Sequence, residues 1–253
     1  MNLGKRRLKS TKMILNHRIL EPSHPQQLQP TVIFFTTTAK EALQSPPLCH
    51  PAVFLNQYNI RVISFDLPLH NDEIPSFDGV QRWTQQMFET HTDPLAPFLQ
   101  QVSFWIDQHL DPKAPLGFMG ISRGAFIAAF LAIQRGLPSP IALFSTMHDL
   151  DYSWLWQNQQ FSDPFLDFYK LSCHAAFLKD CPLYFSIGNN DERVSTSKTL
   201  HLYQELLYFK VKEQKRNIPI ELHVFPSIGM YGHGTPDHIF LEGAKWMSEH
   251  LKS

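Results

Sequence analysis

The sequence predicts an α/β fold in which a mainly parallel central sheet is covered by helices on both faces. Short apolar segments recur along the chain, and each is bounded by Pro, Gly or polar residues. Segments with helical spacing lie between many of them. The apolar segments are almost continuous rather than alternating, which is typical of strands that are buried on both faces of a parallel sheet.

Six segments have the length and the β-branched or aromatic content of buried strands. The first, TVIFFTT, follows Pro30, and the third, APLGFMGIS, ends at a serine. In chain order, the predicted strands are residues 31–37, 60–68, 114–122, 140–146, 181–188 and 218–226.

Four segments have the apolar spacing of helices, and they are residues 95–110, 124–136, 196–217 and 235–251. The second of them is apolar nearly all round, which predicts a buried helix that ends at Gly136. The last one has Thr235 as its expected N-cap and Pro236 as its first helical residue.

The 253 residues are enough for one large domain. We expect residues 1–30 to form an N-terminal extension and residues 31–253 to form the domain. Residues 147–180 make a long, irregular, aromatic-rich insertion between the fourth and fifth predicted strands. Long connections of this kind are usually functional or form a small subdomain, so we expect a lid or a pocket wall.

The composition excludes several classes of protein. It is 43% hydrophobic with a formal net charge of -1, so neither nucleic acid nor an anionic membrane is expected as a main partner. Three cysteines do not suggest a disulfide framework, which favours a cytoplasmic protein. No segment has the apolar length of a signal peptide or a membrane span, so stable membrane insertion is not expected. The histidines have no metal-ligand spacing, so no metal or cofactor is expected, and the oligomeric state stays open.

The segment GFMGISRGAF carries the first candidate for chemistry. Ser122 lies between Gly120 and Gly124, after a predicted strand and before the predicted buried helix. A sharp turn in this setting presents a serine hydroxyl as a nucleophile, and it needs small residues on both sides. The helix N-terminus behind it favours developing negative charge. An ordinary structural turn is the alternative.

A nucleophilic serine needs a general base, and the base needs an acid that orients it. His233 lies between two glycines before the last predicted helix, and Asp191 follows the fifth predicted strand. This gives the chain order Ser, acid, His. The rival bases are His238, in a first helical turn that disfavours an imidazolium, and His223, within a strand. The rival acids are Asp149, Asp151 and Glu192.

With these motifs the sequence resembles the α/β-hydrolase superfamily of serine hydrolases, from about Thr31 to the C-terminus. The resemblance rests on GISRG, GNNDERV and GHG with their strands and helices, and on ISFDLPLH, which is similar to a DLPGHG-like segment of the family. It implies an α/β-hydrolase fold with Ser122 as nucleophile, Asp191 as acid and His233 as base.

The resemblance also implies an oxyanion hole. One donor is the backbone N–H of Arg123, and the second comes from the loop after the first strand, at Thr37 or Thr38. Here the sequence departs from the family, because TTTAKEAL has no His-Gly or glycine run and DLPLH has no glycine after Pro68.

The expected substrate is a small molecule with a carboxylic ester and an apolar acyl or alcohol group. We expect Trp154, Trp156 and Phe165 of the insertion to bind that group, because aromatic side chains with few basic neighbours favour apolar ligands. Three alternatives stay open: a thioesterase or a peptidase/amidase on the same three residues, a non-catalytic member of the fold that binds a small molecule, and an aromatic insertion that docks a protein.

Overall fold

The computed structural model describes residues 15–71, 82, 83, 85, 86, 89, 93–150 and 167–251. Within these residues one seven-stranded sheet has the strand order β1-β3-β2-β4-β5-β6-β7. Strands β2 to β7 run parallel to their neighbours, and β1 pairs antiparallel with β3. The strands are β1 His17–Leu20, β2 Thr31–Phe35, β3 Arg61–Phe65, β4 Leu116–Ile121, β5 Ile141–Phe144, β6 Leu183–Gly188 and β7 Ile220–Phe225.

Helices cover both faces of this sheet. They are α1 Ala39–Gln44, α2 His50–Gln57, α3 Leu95–His109, α4 Arg123–Arg135, α5 Ala175–Leu178, α6 Thr196–Lys212 and α7 Asp237–His250. One buried cluster joins the sheet to α3, α4 and α6, and a second joins its other face to α1, α2 and α7. Along β2, Val32 and Phe34 belong to one cluster and Ile33 and Phe35 to the other, as expected for a strand buried on both faces.

All six predicted strands are present, with each end unchanged or shortened by up to three residues. The buried helix α4 also agrees with the prediction. Its residues from Arg123 to Ala132 are buried, and Gly136 ends it with a φ of 61° in the left-handed region that favours glycine.

Three features differ from the sequence-based expectations. Strand β1 lies within residues 1–30, which were expected to form an N-terminal extension without a strand of the sheet. Helices α1 and α2 fill the connection between β2 and β3. The predicted cap of the last helix is wrong: Pro236 is the N-cap, with an extended ψ of 150°. The Thr235 hydroxyl instead lies 3.3 Å from Ser145 Oγ, so tertiary contact and not helix capping places it.

None of the helices formed by the described residues combines the length and the apolar character that crossing a bilayer requires.

Candidate active site

Ser122 forms a sharp turn between β4 and α4. Its φ of 55° and ψ of -116° are unusual for a residue with a side chain, and such backbone strain persists only where the surroundings enforce it. A Cβ atom on Gly120 would lie 2.4 Å from the Gly124 carbonyl, and one on Gly124 would lie 2.2 Å from the Phe35 carbonyl oxygen. Both positions therefore require glycine, and the turn packs directly against the end of β2.

Backbone hydrogen bonds hold the turn in place. The N–H of Ser122 donates to the carbonyl of Phe144 at 2.8 Å, at the end of β5. The carbonyl of Ser122 accepts from the N–H groups of Met147 and Phe126, each at 3.2 Å. The neighbouring strand and the following helix thus fix the backbone that carries the hydroxyl.

His233 lies between Ser122 and Asp191. Its Nε2 is 2.8 Å from Ser122 Oγ, and its Nδ1 is 2.7 Å from Asp191 Oδ2. The imidazole is 10% exposed and the carboxylate of Asp191 is fully buried. These are the contacts that the sequence predicts for the three residues, with Asp191 on the ring nitrogen opposite the serine.

Asp191 is fixed by bonds beyond the one to His233. Its Oδ1 accepts from the backbone N–H groups of Arg193 at 2.9 Å and Val194 at 3.0 Å. Its own N–H donates to Thr196 Oγ1 at 2.9 Å, and that hydroxyl donates to the Gly188 carbonyl at 2.6 Å. With Oδ1 occupied by these two backbone donors, Oδ2 is directed at the histidine.

The loops that carry Asp191 and His233 pack against each other. The Glu192 N–H donates to the Tyr231 carbonyl at 2.9 Å. Gly232 has a φ of 72°, and a Cβ atom there would lie 2.1 Å from the Asn190 carbonyl oxygen. The glycine before His233 is therefore needed for this close approach, and the two loops hold Asp191 and His233 in a fixed relative position.

The rival residues lie elsewhere. His238 is exposed on the first turn of α7. His223 lies on β7, where its ring stacks on Tyr184 with a centroid distance of 4.7 Å. The Asp149 carboxylate binds Lys198 Nζ at 2.8 Å. The Glu192 carboxylate accepts from the Asn190 amide at 3.3 Å. Asp151 lies outside the described residues.

The loop after β2 lies beside the turn at Ser122. A Cβ atom on Gly124 would also lie 2.9 Å from the Thr36 carbonyl oxygen, so the loop approaches the N-terminus of α4 closely. Thr38 is the N-cap of α1, and its hydroxyl accepts from the Glu41 N–H at 3.1 Å. The Thr37 carbonyl accepts from the Leu67 N–H at 2.9 Å. The loop of the threonines therefore lies next to the first turn of α4, which begins at Arg123, and these are the residues expected to supply the oxyanion hole.

Trp154, Trp156 and Phe165 lie outside the described residues. The described part of the insertion, residues 147–150 and 167–180, is packed at both ends. At the first end, the Met147 N–H donates to the Ser122 carbonyl. At the second end, Tyr169 is buried and its hydroxyl donates to Asp93. Burial is the main cause that raises the pKa of Tyr169 above its usual value. The second end of the insertion is therefore anchored to the residues just before α3.

A buried histidine, His148, escaped the sequence-based reasoning about the site. Its Nε2 lies 2.8 Å from Thr199 Oγ1, and its Nδ1 has no hydrogen-bond partner among the described residues. Burial, followed by the charges of Lys198 and His201, lowers its pKa to about 3. The imidazole is therefore neutral at pH 7. Among the described residues no group of three or more His, Cys, Asp or Glu side chains is arranged to hold a metal ion.

Comparisons with known proteins give structural neighbours only. No protein-family profile matches the chain, and no curated protein matches it in sequence. TT1662 from Thermus thermophilus superposes with a TM-score of 0.66 at 15% identity, over 95% of this chain and 100% of the other. Est1E from Butyrivibrio proteoclasticus, solved with ferulic acid bound, gives 0.62 at 14% identity, over 94% and 96%.

An acylaminoacyl peptidase from Pyrococcus horikoshii gives a TM-score of 0.65 at 15% identity. The match covers 94% of this chain but only 40% of the peptidase, so the chain spans less than half of that protein. At such identities the similarity shows the fold alone. Together with the sheet order and the helices on both faces, it shows that this chain has the α/β-hydrolase fold.

Proposed function

We propose that the protein is a serine hydrolase that cleaves carboxylic esters through an acyl-enzyme. The observation that carries this proposal is the continuous hydrogen-bonded path from Ser122 Oγ through His233 to the buried carboxylate of Asp191, with distances of 2.8 and 2.7 Å. A strained serine at a helix N-terminus, a base on its hydroxyl and an acid on the base are the groups that this chemistry needs.

In the proposed reaction His233 Nε2 takes the proton of Ser122 Oγ while that oxygen attacks the ester carbonyl. Asp191 holds the Nδ1–H tautomer and stabilises the imidazolium. The tetrahedral intermediate then collapses, the ester C–O bond breaks, and His233 returns the proton to the leaving alcohol. Water repeats the sequence on the acyl-enzyme, which releases the carboxylic acid and regenerates the serine. This mechanism requires no cofactor or metal.

The negative oxygen of the intermediate would be bound by two backbone N–H groups. The first belongs to Arg123, at the N-terminus of α4, where the helix dipole favours negative charge. The second belongs to Thr37 or Thr38, which the close packing of Gly124 brings near. The Thr37 hydroxyl is buried without a hydrogen-bond partner among the described residues, so it is a further polar group at this position.

We propose an apolar acyl or alcohol group on the substrate. The aromatic insertion motivates this proposal, with Trp154, Trp156 and Phe165 as the binding residues. The turn just before His233 supports it, because Met230 and Tyr231 are 63% and 62% exposed there. Large apolar side chains exposed beside a catalytic group are available to contact a ligand.

Amides and thioesters are the second candidate class of substrate. The same serine, histidine and aspartate can attack either carbonyl, and the structural neighbours include a peptidase as well as an esterase. A non-catalytic protein that binds a small molecule is the alternative from a different class. The three free cysteines fit the proposed cytoplasmic location.

Hydrolysis of p-nitrophenyl esters of increasing acyl length tests the proposal, with the matching thioesters and anilides as competitors. We expect kcat/KM to rise with chain length up to a cutoff, esters to react fastest, and His233→Ala to abolish turnover. The exposed His238→Ala is the matched control and should retain activity. A wild-type protein that binds these esters without cleaving them would instead support the non-catalytic alternative.

A further inference from the structure

We infer that the Arg123 side chain is a positioning residue, which holds the loop of Thr37 and Thr38 against the turn at Ser122. The inference rests on the proposed function, where that loop supplies the second oxyanion-hole donor. It concerns the side chain alone. The backbone N–H of Arg123, the proposed first donor, is retained in a variant that keeps an ordinary amino acid at this position.

The guanidinium of Arg123 is buried under the segment that follows β3. The residue is only 4% exposed. Its Nη2 lies 3.1 Å from His70 Nε2, contacts His70 Nδ1, and lies 3.5 Å from the Pro68 carbonyl oxygen. Its Cζ lies 4.9 Å from the centre of the Trp83 ring, within the range of a cation–π interaction. The side chain thus connects the residue after Ser122 to residues 68–70.

The same segment is hydrogen-bonded to the threonine loop. The Leu67 N–H donates to the Thr37 carbonyl at 2.9 Å, and Asp66 Oδ1 accepts from the Ala39 N–H at 2.8 Å. The His70 N–H donates to the Leu67 carbonyl at 2.9 Å, which closes a turn between the two contact regions. A continuous path therefore leads from the Arg123 guanidinium to Thr37 and Ala39, the residues on either side of Thr38.

If the Arg123 side chain only filled space, a guanidinium would be an unfavourable group for this buried position. Burying a charge costs free energy unless hydrogen bonds and ring contacts compensate it, and an apolar side chain would fill the volume without that cost. The planar guanidinium instead directs several N–H groups in fixed directions, which orients the partners that it contacts. Orientation matters here because oxyanion donors act only within a narrow range of distances.

One residue would thus set both donors of the oxyanion hole. Its backbone places the first at the start of α4, and its side chain places the second through residues 66–70. The turn and the loop come from different strands, β4 and β2, and the Arg123 side chain complements the direct packing of Gly124 on the end of β2.

Arg123→Met tests the inference, because methionine keeps an unbranched apolar stem but removes the guanidinium with its N–H groups. Arg135→Met is the matched control on the same helix, since Arg135 binds Asp107 at 2.8 Å and Ser103 at 2.9 Å at the opposite end. For a p-nitrophenyl ester, we expect Arg123→Met to lower kcat by about 10- to 100-fold. KM should change by less than about threefold, because the loss is confined to the transition state. The control should keep wild-type kcat.

Two further measurements separate positioning from a merely structural role. A trifluoromethyl ketone, which forms a tetrahedral adduct with the serine, should lose affinity in parallel with kcat/KM, while a product carboxylate should not. Amide hydrogen exchange in peptides that cover residues 36–42 should become faster in Arg123→Met and stay unchanged in Arg135→Met. If Arg123→Met fails to fold, Arg123→Lys gives the same comparisons, because lysine lacks the planar arrangement of donors.

The outcomes distinguish this inference from the proposed function. A wild-type protein that neither cleaves esters nor reacts with a fluorophosphonate refutes the proposed function, and the exchange measurement still tests the contact path. Equal kcat in Arg123→Met and Arg135→Met overturns the inference while the hydrolase proposal stands. A raised KM at unchanged kcat also overturns it, since the side chain would then serve substrate binding.

Discussion

Ser122 and Ser145 directly follow neighbouring parallel strands and both have a positive φ, yet only Ser122 faces a histidine. Their φ angles are 55° and 42°, and each N–H donates at 2.8 Å to a carbonyl of the next strand, Phe144 for Ser122 and Ser186 for Ser145. Ser122 Oγ faces a histidine, whereas Ser145 Oγ faces the hydroxyl of Thr235 at 3.3 Å. A strained serine at the carboxyl end of a strand is therefore not sufficient by itself to form a reactive site. The contact with His233 and the position at a helix N-terminus distinguish Ser122 from Ser145.

The sequences around the two serines explain this difference. Ser122 has Gly120 and Gly124 two residues away on either side, and their close packing lets α4 begin immediately after the turn. Ser145 has Leu143 and Met147 at the same positions, and no helix follows it within residues 146–150. Ser145 instead helps to place the loop of His233 through Thr235.

The largest expected effect comes from Ser122→Ala. Turnover of an ester should fall by about a million-fold, because the nucleophile is lost while the fold is kept. Ser145→Ala is the matched control, and its kcat should stay within about threefold of wild type, since only one hydroxyl contact is lost. Steady-state kinetics with a p-nitrophenyl ester measures both. A large loss in Ser145→Ala would show that the two serines do not differ as described.

The next largest effect is expected from Asp191→Asn. The amide keeps the shape but disfavours the Nδ1–H tautomer of His233, so kcat should fall by about ten-thousandfold. Asp149→Asn is the control, because Asp149 binds Lys198 rather than His233. Wild-type turnover in Asp191→Asn, measured with the same ester, would contradict the assigned acid.

Gly124→Ala should cost both stability and activity. The new Cβ would lie 2.2 Å from the Phe35 carbonyl oxygen, so the backbone must move, at a cost of about 1–3 kcal/mol or more of unfolding free energy. Gly136→Ala, at the other end of α4, is the comparison. A Cβ atom at this position would have no other atom within 4 Å, but the φ of the residue is 61°. This substitution should cost about 1 kcal/mol through strain and keep wild-type kcat. Urea unfolding measures the unfolding free energy of both variants, and ester kinetics measures their kcat. Equal losses of kcat in the two variants would argue against a special role for Gly124.

The loop after Ser145 should give the protein a sensitivity to acid. His148 has a folded pKa of about 3, and an unfolded histidine has a pKa of about 6.5, so the unfolded state binds more protons between these values. The contribution of His148 is therefore present above about pH 6.5 and is lost as the pH falls toward about 3. It should account for up to about 1.4 kcal/mol of unfolding free energy per pH unit.

Urea unfolding between pH 4 and pH 7 checks this expectation. His148→Gln should show a shallower dependence than wild type. An unchanged slope in His148→Gln would mean that other groups dominate the acid response.

The sequence predicted the central strands because each of them is a continuous apolar run that is buried on both faces. Strand β1 was missed because HRIL lies at the sheet edge, is mostly exposed, and has neither apolar continuity nor alternation. The cap of α7 was assigned wrongly because a contact between Thr235 and Ser145, ninety residues apart in the chain, has no local pattern.

The contacts among Ser122, Asp191 and His233 were predictable because each residue has a local pattern: flanking glycines, the end of a strand, or a loop before a helix. The contact of Arg123 with His70 was not. It joins residues 53 positions apart, and arginine after a serine indicates no particular partner. Burial of His148 depends in the same way on the packing of α6, which no local pattern reveals.

The most direct measurement is the site of reaction with a fluorophosphonate probe, located by mass spectrometry of proteolytic peptides. The account predicts one phosphonylated residue, Ser122, in the wild type and in Ser145→Ala, and no labelling in Ser122→Ala. Labelling should also be strongly slowed in His233→Ala, because the base that activates the hydroxyl is absent. Labelling at Ser145, or labelling that persists unchanged in Ser122→Ala, would contradict the assignment of the nucleophile.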